Sequence, residues 1–201
     1  MGRHREFDVE KALDAALCVF WRKGYEGTSY ADLTEAVGVE RPALYAAFGN
    51  KEALFRQVLA RYNERHMDYL PAALQLPTAR EVAAHILFSS VGVNTRSPDR
   101  AGCLGINGIV AGSDDAESVR QALIDFRAAG ETQLRERFER AKAEGDLPET
   151  TDPEALAAFV MAVSHGMAVQ AKAGFSRDRL EAVAKQALSA WPTGSSNQKS
   201  L

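Results

Sequence analysis

Residues 28–55 read TSYADLTEAVGVERPALYAAFGNKEALF, and this stretch decides the fold because two short helical segments flank a single glycine, Gly38. Apolar residues lie on both sides of it, at Leu33, Val37, Val39, Leu44 and Phe48. Spacings of three to four residues place such side chains on one face of a helix, so both segments face one small core. Gly38 stands where a tight turn needs a left-handed backbone. The stretch predicts a helix-turn-helix whose second helix can enter the major groove of DNA, although spacing alone fits an ordinary helix pair equally well.

The rest of the chain shows the same helical periodicity. In the first segment, apolar residues recur at Val9, Ala12, Leu13, Ala16, Leu17 and Phe20. This spacing places them along one stripe of a helix, and no segment of useful length alternates with the period of two that a strand requires. We therefore predict an all-α fold of about nine helices, at residues 8–23, 29–37, 41–48, 51–70, 78–95, 102–111, 115–144, 153–173 and 176–190.

Residues 7–60 resemble the DNA-binding part of the tetracycline-repressor (TetR) family of transcriptional regulators. Three blocks carry the resemblance: FWRKGYEGTS at 20–29, AVGV at 36–39 and RPALYAAFGNKEALF at 41–55. The resemblance implies a dimeric repressor with an N-terminal three-helix DNA-binding domain and a larger C-terminal helical domain that binds a ligand. It divides the chain into a helix-turn-helix domain (1–50, with a basic arm at 1–7), a linking helix (51–70), a ligand-binding and dimerisation domain (71–192) and a polar, disordered tail (193–201).

The resemblance also implies which residues touch a DNA operator. The helix that begins near Arg41 reads the major groove, and an arginine there suits bidentate contact with guanine. The other candidates are phosphate donors, sugar contacts or methyl contacts, so the full set is Arg3, Arg5, Thr28, Tyr30, Arg41, Pro42, Ala43, Tyr45, Ala46 and Lys51. Arg3 and Arg5 resemble an arm that enters the minor groove, although a solvated terminus is the other interpretation. Glu40 departs from the family pattern, in which Ser or Thr is frequent at this position. A carboxylate there repels phosphate unless it accepts from a cytosine amine or caps the helix.

The overall charge argues against a nucleic-acid partner, but its distribution weakens that objection. The chain has 24 basic and 27 acidic residues, for a net charge of -3. Residues 1–65 hold ten residues of each sign, so the acidic excess lies after residue 65. A nearly neutral DNA-binding part predicts weak binding to nonspecific DNA. The affinity for a specific operator would then depend on a few positioned contacts and on the geometry of the dimer.

The second part of the chain mixes polar and polarisable residues into apolar helices, as ligand cavities do. The candidates for a pocket are Asn94, Cys103, Asn107, Met161 and His165. A lone histidine such as His165 is more often a hydrogen-bonded core residue than a ligand contact, and Cys103 is explained either as a redox sensor or as an inert small side chain. Cys18 lies inside the apolar stripe of the first helix and is expected in the core.

The last two helices offer apolar faces interspersed with small residues, which a four-helix interface between two subunits needs. The candidate interface residues are Phe159, Val163, Met167, Leu180, Val183 and Ala187. Packing within one chain explains the same pattern, and the sequence leaves both interpretations open.

Two other function classes compete with a homodimeric repressor that binds double-stranded DNA and a small effector. A helical enzyme is the first, but the four histidines lie beside no HExxH, GxSxG or P-loop pattern, so we predict no catalytic site, metal or cofactor. A helix-turn-helix adaptor without a ligand is the second, and it predicts a second domain too tightly packed to hold a cavity. The polar N-terminus and the lack of a long apolar run predict a cytoplasmic protein without a membrane segment.

Overall fold

The computed structural model describes residues 8–98, 101–109 and 116–192, and these residues form ten α-helices and no strand. The helices are α1 (Val9–Lys23), α2 (Tyr30–Val37), α3 (Arg41–Phe48), α4 (Lys51–His66), α5 (Tyr69–Ala73), α6 (Ala79–Asn94), α7 (Leu104–Ile109), α8 (Glu117–Ala143), α9 (Pro153–Lys172) and α10 (Arg177–Ser189). The all-α prediction is confirmed. The basic arm (1–7) and most of the tail (193–201) lie outside the described residues.

Side-chain caps fix where several helices begin. Ser29 and Asp32 form a reciprocal capping box at α2, and Thr78 and Glu81 form another at α6. Asp152 accepts hydrogen bonds from the first backbone amides of α9, and Pro153 supplies the first residue of that helix. These groups satisfy amides that have no partner inside the helix, so polar residues in the sequence set the helix boundaries.

The predicted helix 51–70 is two elements, because α4 ends at His66 and α5 begins at Tyr69. Pro71 has no backbone N–H to donate to the carbonyl of Met67, and its ring would clash with that carbonyl in a continuous helix. The short helix α5 accounts for the difference between the ten helices of the described residues and the nine predicted ones.

The buried side chains form two clusters that do not follow the chain order. The first cluster joins α1–α4 to Leu104 of α7 and to Val119 and Leu123 of α8. At its centre the ring of Phe20 meets that of Phe55 edge-on at 5.1 Å, and the ring of Trp21 meets that of Tyr62 at 4.8 Å. The second cluster joins α5, α6, α9 and α10 to the later turns of α8. The N-terminal helices thus share a core with α7 and with the start of α8.

The expectation that Cys18 of α1 lies in the core is wrong, because the residue is exposed.

Helix α9 is long and apolar enough to cross a membrane by length and composition alone. It packs against α6, α8 and α10, with Val160 and Ala168 among its buried residues. The core accounts for one side of this helix, and its other side is an exposed apolar face.

Candidate nucleic-acid interface and internal cavity

The turn between α2 and α3 has the geometry that the sequence predicts. Gly38 follows α2 with φ 75° and ψ 33°, a left-handed conformation, and its amide donates to the carbonyl of Thr34 at 2.8 Å. A side chain at this position would strain the backbone, so glycine allows the chain to turn directly into α3. Leu33 and Leu44 are buried beneath the turn. The two helices are therefore held as a rigid pair, and the helix-turn-helix prediction is confirmed.

Helix α3 separates a buried side from an exposed side. Leu44 and Phe48 face the core, as expected. The exposed residues include all five candidates on this helix, which are Arg41, Pro42, Ala43, Tyr45 and Ala46. The exposed side is therefore free to approach a groove without any rearrangement of the core.

Arg41 is held in place by two tyrosines. Its guanidinium carbon lies 4.2 Å from the centre of the Tyr30 ring, and its Nη2 donates to the Tyr45 hydroxyl at 3.1 Å. The two rings stack on each other at 5.1 Å. The hydrogen bond raises the pKa of Arg41 and lowers the pKa of the Tyr45 phenol. A cation at an aromatic face loses rotational freedom, so the guanidinium is oriented before any partner arrives.

Lys51 lies at the first turn of α4, beside the same group of residues. Its ammonium lies 4.5 Å from the centre of the Tyr25 ring, and its backbone amide donates to the Tyr30 hydroxyl at 3.0 Å. Burial lowers the pKa of Lys51. Tyr30 thus connects α3 to the start of α4. Arg41, Tyr45, Tyr30 and Lys51 form one surface, which we call the reading surface.

Thr28 does not belong to this surface, which corrects the expectation that it donates to phosphate. Its side chain is buried, with 1% of its surface exposed, and its hydroxyl donates to the carbonyl of Gly24 at 2.6 Å. The neighbouring Ser29, not Thr28, caps α2. Glu40 precedes α3 without a side-chain capping hydrogen bond, so its carboxylate stands exposed at the start of the candidate recognition helix.

The later helices, together with the end of α4, form a cavity of about 460 Å³. Its wall is contributed by α4, α5, α6, α8, α9 and residues 67–68 and 103–106. Four of the five predicted pocket residues line it, namely Asn94, Cys103, Met161 and His165. Asn107 does not: its amide donates to the backbone carbonyl of Trp21 at 3.4 Å, towards the N-terminal core. The volume lies within the range of roughly 300–1,000 Å³ that is typical of small-ligand sites.

The polar groups of the cavity are few and specific. Arg127 Nη2 lies 2.6 Å from His165 Nδ1, and the hydroxyl of Tyr62 donates to Cys103 Sγ at 3.3 Å. Burial, followed by the nearby Arg127 charge, lowers the pKa of His165 to about 4. Burial raises the pKa values of Tyr62 and Tyr69 above the ordinary phenol value. At neutral pH His165 is therefore uncharged and both phenols stay protonated.

The cavity wall is joined directly to the N-terminal helices. Trp21 Nε1 donates to the carbonyl of Gly102 at 2.7 Å, one residue before Cys103 in the cavity wall. Gly102 has φ 79°, and a Cβ atom there would lie only 3.0 Å from the carbonyl oxygen of Ala168. Lys172 Nζ donates to the carbonyl of Arg22 at 2.9 Å, so α9 also reaches the end of α1. These contacts connect the cavity wall and α9 to α1.

The structure divides the six candidate interface residues. Phe159 is 43% exposed, and Val163 and Val183 are half-buried. Met167, Leu180 and Ala187 are buried within their own chain, so they are removed from the proposed interface. Three further exposed residues extend the line of Phe159 along α9, namely Ala162, Gly166 and Val169. Ala162 and Gly166 are among the small residues that the sequence pattern indicates for close helix approach, whereas Val169 was not singled out.

Sequence reasoning also missed Tyr25 and Arg127. An aromatic residue just after α1 carries no motif signal, although its closeness to Lys51 would follow from the packing of α1 against α4. Arg127 lies on a helix rich in charged residues, where an arginine is ordinarily a surface residue. Only the placement of α8 against α9 shows that it faces His165.

Two family models match this chain. The first, "Bacterial regulatory proteins, tetR family", matches residues 12–58, and the second, "Tetracyclin repressor-like, C-terminal domain", matches residues 82–187. The first match contains the helix-turn-helix, and the second contains most of the cavity wall. Together they account for both parts of the molecule.

Individual proteins are similar over nearly the whole chain. The HTH-type transcriptional repressor ComR of Escherichia coli (strain K12) is 36% identical over 193 residues, which are 95% of this chain and 92% of ComR. The uncharacterised HTH-type transcriptional regulator YezE of Bacillus subtilis (strain 168) is 34% identical, covering 90% of this chain and 94% of YezE. A solved structure of the TetR family regulator CifR, a cysteine mutant complexed with 26-bp double-strand operator DNA, is 45% identical with a TM-score of 0.89. That likeness covers 94% of this chain and 100% of the CifR chain.

Proposed function

Since this chain belongs to the TetR family and is a DNA-binding transcriptional repressor, we propose that it binds a palindromic operator as a homodimer and is released when a small effector fills its cavity. The observation that carries the proposal is the reading surface: an arginine oriented by two tyrosines on the exposed side of α3. The cavity, whose wall includes α4, supplies the second half of the proposal.

The residues of the reading surface divide into base contacts and phosphate contacts. Arg41 reads guanine, because the forked guanidinium matches the two acceptors of that base in the major groove. Tyr45 and Lys51 donate to phosphates, which fixes position without reading sequence. The side chains on the rest of this face are short, at Pro42, Ala43 and Ala46. The backbone of α3 can therefore approach the bases closely, and the alanine methyl groups contact the methyl group of thymine. Arg3 and Arg5 of the arm remain proposed contacts with the minor groove.

A homodimer is proposed because one recognition helix covers only a half-site. A helix-turn-helix dimer spans two half-sites about one helical turn apart, and the 26-bp operator in the CifR complex is long enough for both. The exposed apolar line of α9 suits the second copy of this chain: Phe159 and Val169 are 43% and 50% exposed, and Gly166 lets a second helix approach closely. A two-fold axis would place this face against the same face of the second copy.

Release follows from the way the cavity shares its wall with α4. Leu59, Tyr62 and Asn63 line the cavity, and Lys51 stands at the other end of the same helix. An effector that binds more tightly to a shifted position of α4 than to the DNA-bound position lowers operator affinity by that difference. A shift of α4 moves Lys51 and changes the separation of the two reading surfaces in the dimer.

The cavity favours this proposal over an adaptor that binds no small ligand, since an adaptor needs no space of about 460 Å³ in its second domain. We propose a regulatory role without a catalytic one, because the matching family model and the similar proteins are transcriptional regulators. A repressor of chromosomal operators acts where the DNA is, so a cytoplasmic location belongs to the same proposal.

A gel-shift titration tests the proposal most simply. The full chain is titrated onto duplexes from upstream of its own gene and from neighbouring promoters at about 150 mM salt, where weak phosphate contacts are screened. We expect one of these duplexes to bind specifically, with two chains per duplex. Replacing Arg135, an exposed arginine paired with Glu139 on α8, by alanine provides a control in which a charge is removed far from the reading surface, and it should leave binding unaltered. Failure to bind any of these duplexes above the level of scrambled DNA would count against the proposal.

A further inference from the structure

Among the described residues that line the cavity, Arg127 is the only arginine or lysine, and the walls around it are largely apolar. The apolar lining includes Leu70, Ile86, Val93, Ile106, Phe126 and Met161. An arginine in such a setting is costly unless its charge and its N–H groups find partners. The hydrogen-bond and charge partners that the chain provides for Arg127 therefore indicate which partners a ligand would have to provide.

Half-buried Arg127 lacks the carboxylate partner that an arginine in an apolar setting usually has. In the part of the chain that the structure describes, no carboxylate lies within 4.0 Å of its guanidinium nitrogens. Its Nε is buried without a hydrogen-bond partner among the same residues. The contrast is Arg61, whose Nε and Nη2 both donate to the carboxylate of Asp14. Arg127 has the same forked donors without the carboxylate.

The contact between Arg127 and His165 does not neutralise the arginine. A guanidinium has donors only, so the 2.6 Å contact requires His165 Nδ1 to accept, which puts the imidazole proton on Nε2. Burial and the Arg127 charge keep the pKa of His165 near 4, so the ring is neutral at pH 7. The pair therefore carries one positive charge and leaves N–H donors on both residues for a further acceptor.

We propose that the cavity binds an amphipathic organic anion, with its carboxylate on Arg127 and His165 and its apolar body against Ile86, Phe126 and Met161. A carboxylate supplies the planar pair of acceptors that the arginine fork matches, and it compensates the buried charge. This inference names the effector class of the proposed repressor and rests on that function only where it concerns DNA release.

An organic cation is the competing occupant, because two carboxylates also line the cavity. Glu64 and Asp68 belong to the end of α4 and the turn after it, and neither is buried in the way that the Arg127 Nε is. Water screens a carboxylate that reaches solvent far more than it screens the half-buried Arg127. The interior of the cavity therefore favours an anion. Preferential binding of an organic cation is the result that would overturn the proposal.

Isothermal titration calorimetry with the full chain tests the charge preference using octanoate, 1-octanol and octylamine, which share one chain length and differ in the head group. We expect octanoate to bind about 10- to 100-fold more tightly than 1-octanol, the range that a charge-assisted hydrogen-bond pair provides. Arg127→Gln should bring octanoate down to the affinity of 1-octanol without changing 1-octanol itself. Arg127→Lys should keep part of the preference, and Arg135→Gln, outside the cavity, should keep all of it.

Equal or tighter binding of 1-octanol or octylamine, no binding of any of the three, or an unchanged octanoate affinity in a folded Arg127→Gln variant would overturn the anion site. Calorimetry needs no DNA, so its outcome is independent of the proposed repressor function. A gel shift with saturating octanoate then tests release. If octanoate binds through Arg127 and the operator complex persists, the anion site stands and the proposal of release by this class of effector fails.

Discussion

The indole of Trp21 donates a buried hydrogen bond of 2.7 Å to the backbone carbonyl of Gly102, across 81 positions of the sequence. Trp21 belongs to α1 and packs against Tyr62 near the end of α4, and Gly102 immediately precedes the cavity residue Cys103. The two halves of the molecule are therefore joined by a directional contact inside a shared core.

The first prediction concerns this hydrogen bond. Trp21→Phe removes the donor and leaves the Gly102 carbonyl without its partner, which costs about 1–3 kcal/mol beyond the loss of ring volume. Trp191→Phe is the matched control, because Trp191 is also buried but its indole makes no hydrogen bond within the described residues. Urea unfolding should show the larger loss of unfolding free energy for Trp21→Phe. Equal losses would mean that the bond does not contribute to stability.

The second prediction concerns Glu40, the exposed carboxylate at the start of α3. Glu40→Gln removes a negative charge that faces the phosphates in the proposed complex and removes no capping hydrogen bond. We expect operator affinity to rise about fivefold at low salt, the effect of one screened unit charge at close range. Glu149→Gln, at an exposed position in the turn before α9, is the control and should leave the affinity unchanged. Unaltered or weaker binding by Glu40→Gln would place Glu40 away from the phosphates or give it a base contact.

The third prediction concerns the ion pairs between α1 and α4. The side chain of Arg61 is only 7% exposed, and its guanidinium donates twice to Asp14 and once to the carboxylate of Glu10. The hydrogen bond from Arg61 lowers the pKa of Asp14 below its ordinary value of 3.8. A carboxylate with a lowered folded-state pKa stabilises the fold fully above its unfolded value, and that contribution is lost as the pH falls through the folded value.

Asp14→Asn should therefore cost about 1–2 kcal/mol at pH 7, limited by solvent screening and by the remaining Glu10. Urea unfolding at several pH values measures the difference from the parent, which should be constant above about pH 5 and shrink towards pH 3. Asp178→Asn alters an exposed carboxylate without an ion pair in the described residues and should show no such trend. A pH-independent difference for Asp14→Asn would contradict the assignment.

The fourth prediction concerns the exposed line of α9. Phe159→Glu places a charge at the centre of the proposed two-fold contact, where it would meet its own copy and lose its water. Sedimentation equilibrium should show a shift from dimer to monomer while the helical content is retained. Val9→Glu is the control, since Val9 is exposed to a similar degree on α1. A dimer that persists unchanged in Phe159→Glu would move the interface to another face.

The fold could be predicted from the sequence because its signals are local. Gly38, the apolar spacing around it and the Asp152-Pro153 start of α9 each act within one or two helical turns. The break after His66 was missed because its cause, Pro71, stands beyond the end of α4. Helical periodicity alone extended that helix to residue 70.

The candidate site was less predictable because its geometry depends on which face of a helix is covered. Helix α9 is apolar on both sides, so periodicity does not distinguish the buried Met167 from the exposed Phe159. Thr28 and Ser29 both suit a helix cap, and only the packing of α1 against α2 buries one of them. Arg127 is assigned to the cavity by its contact with His165, 38 positions away. Asn107 is excluded from it by its hydrogen bond to Trp21, 86 positions away.

The central claim is that Arg41 reads sequence while Lys51 only holds the backbone. Fluorescence anisotropy of the parent, Arg41→Ala and Lys51→Ala, each titrated with operator and with a scrambled duplex at several salt concentrations, tests it directly. Arg41→Ala should lower the ratio of operator to scrambled affinity about 10- to 100-fold. Lys51→Ala should weaken both duplexes alike and reduce the salt slope by about one per subunit. An unchanged affinity ratio in Arg41→Ala would contradict the role of Arg41 as the residue that reads the operator.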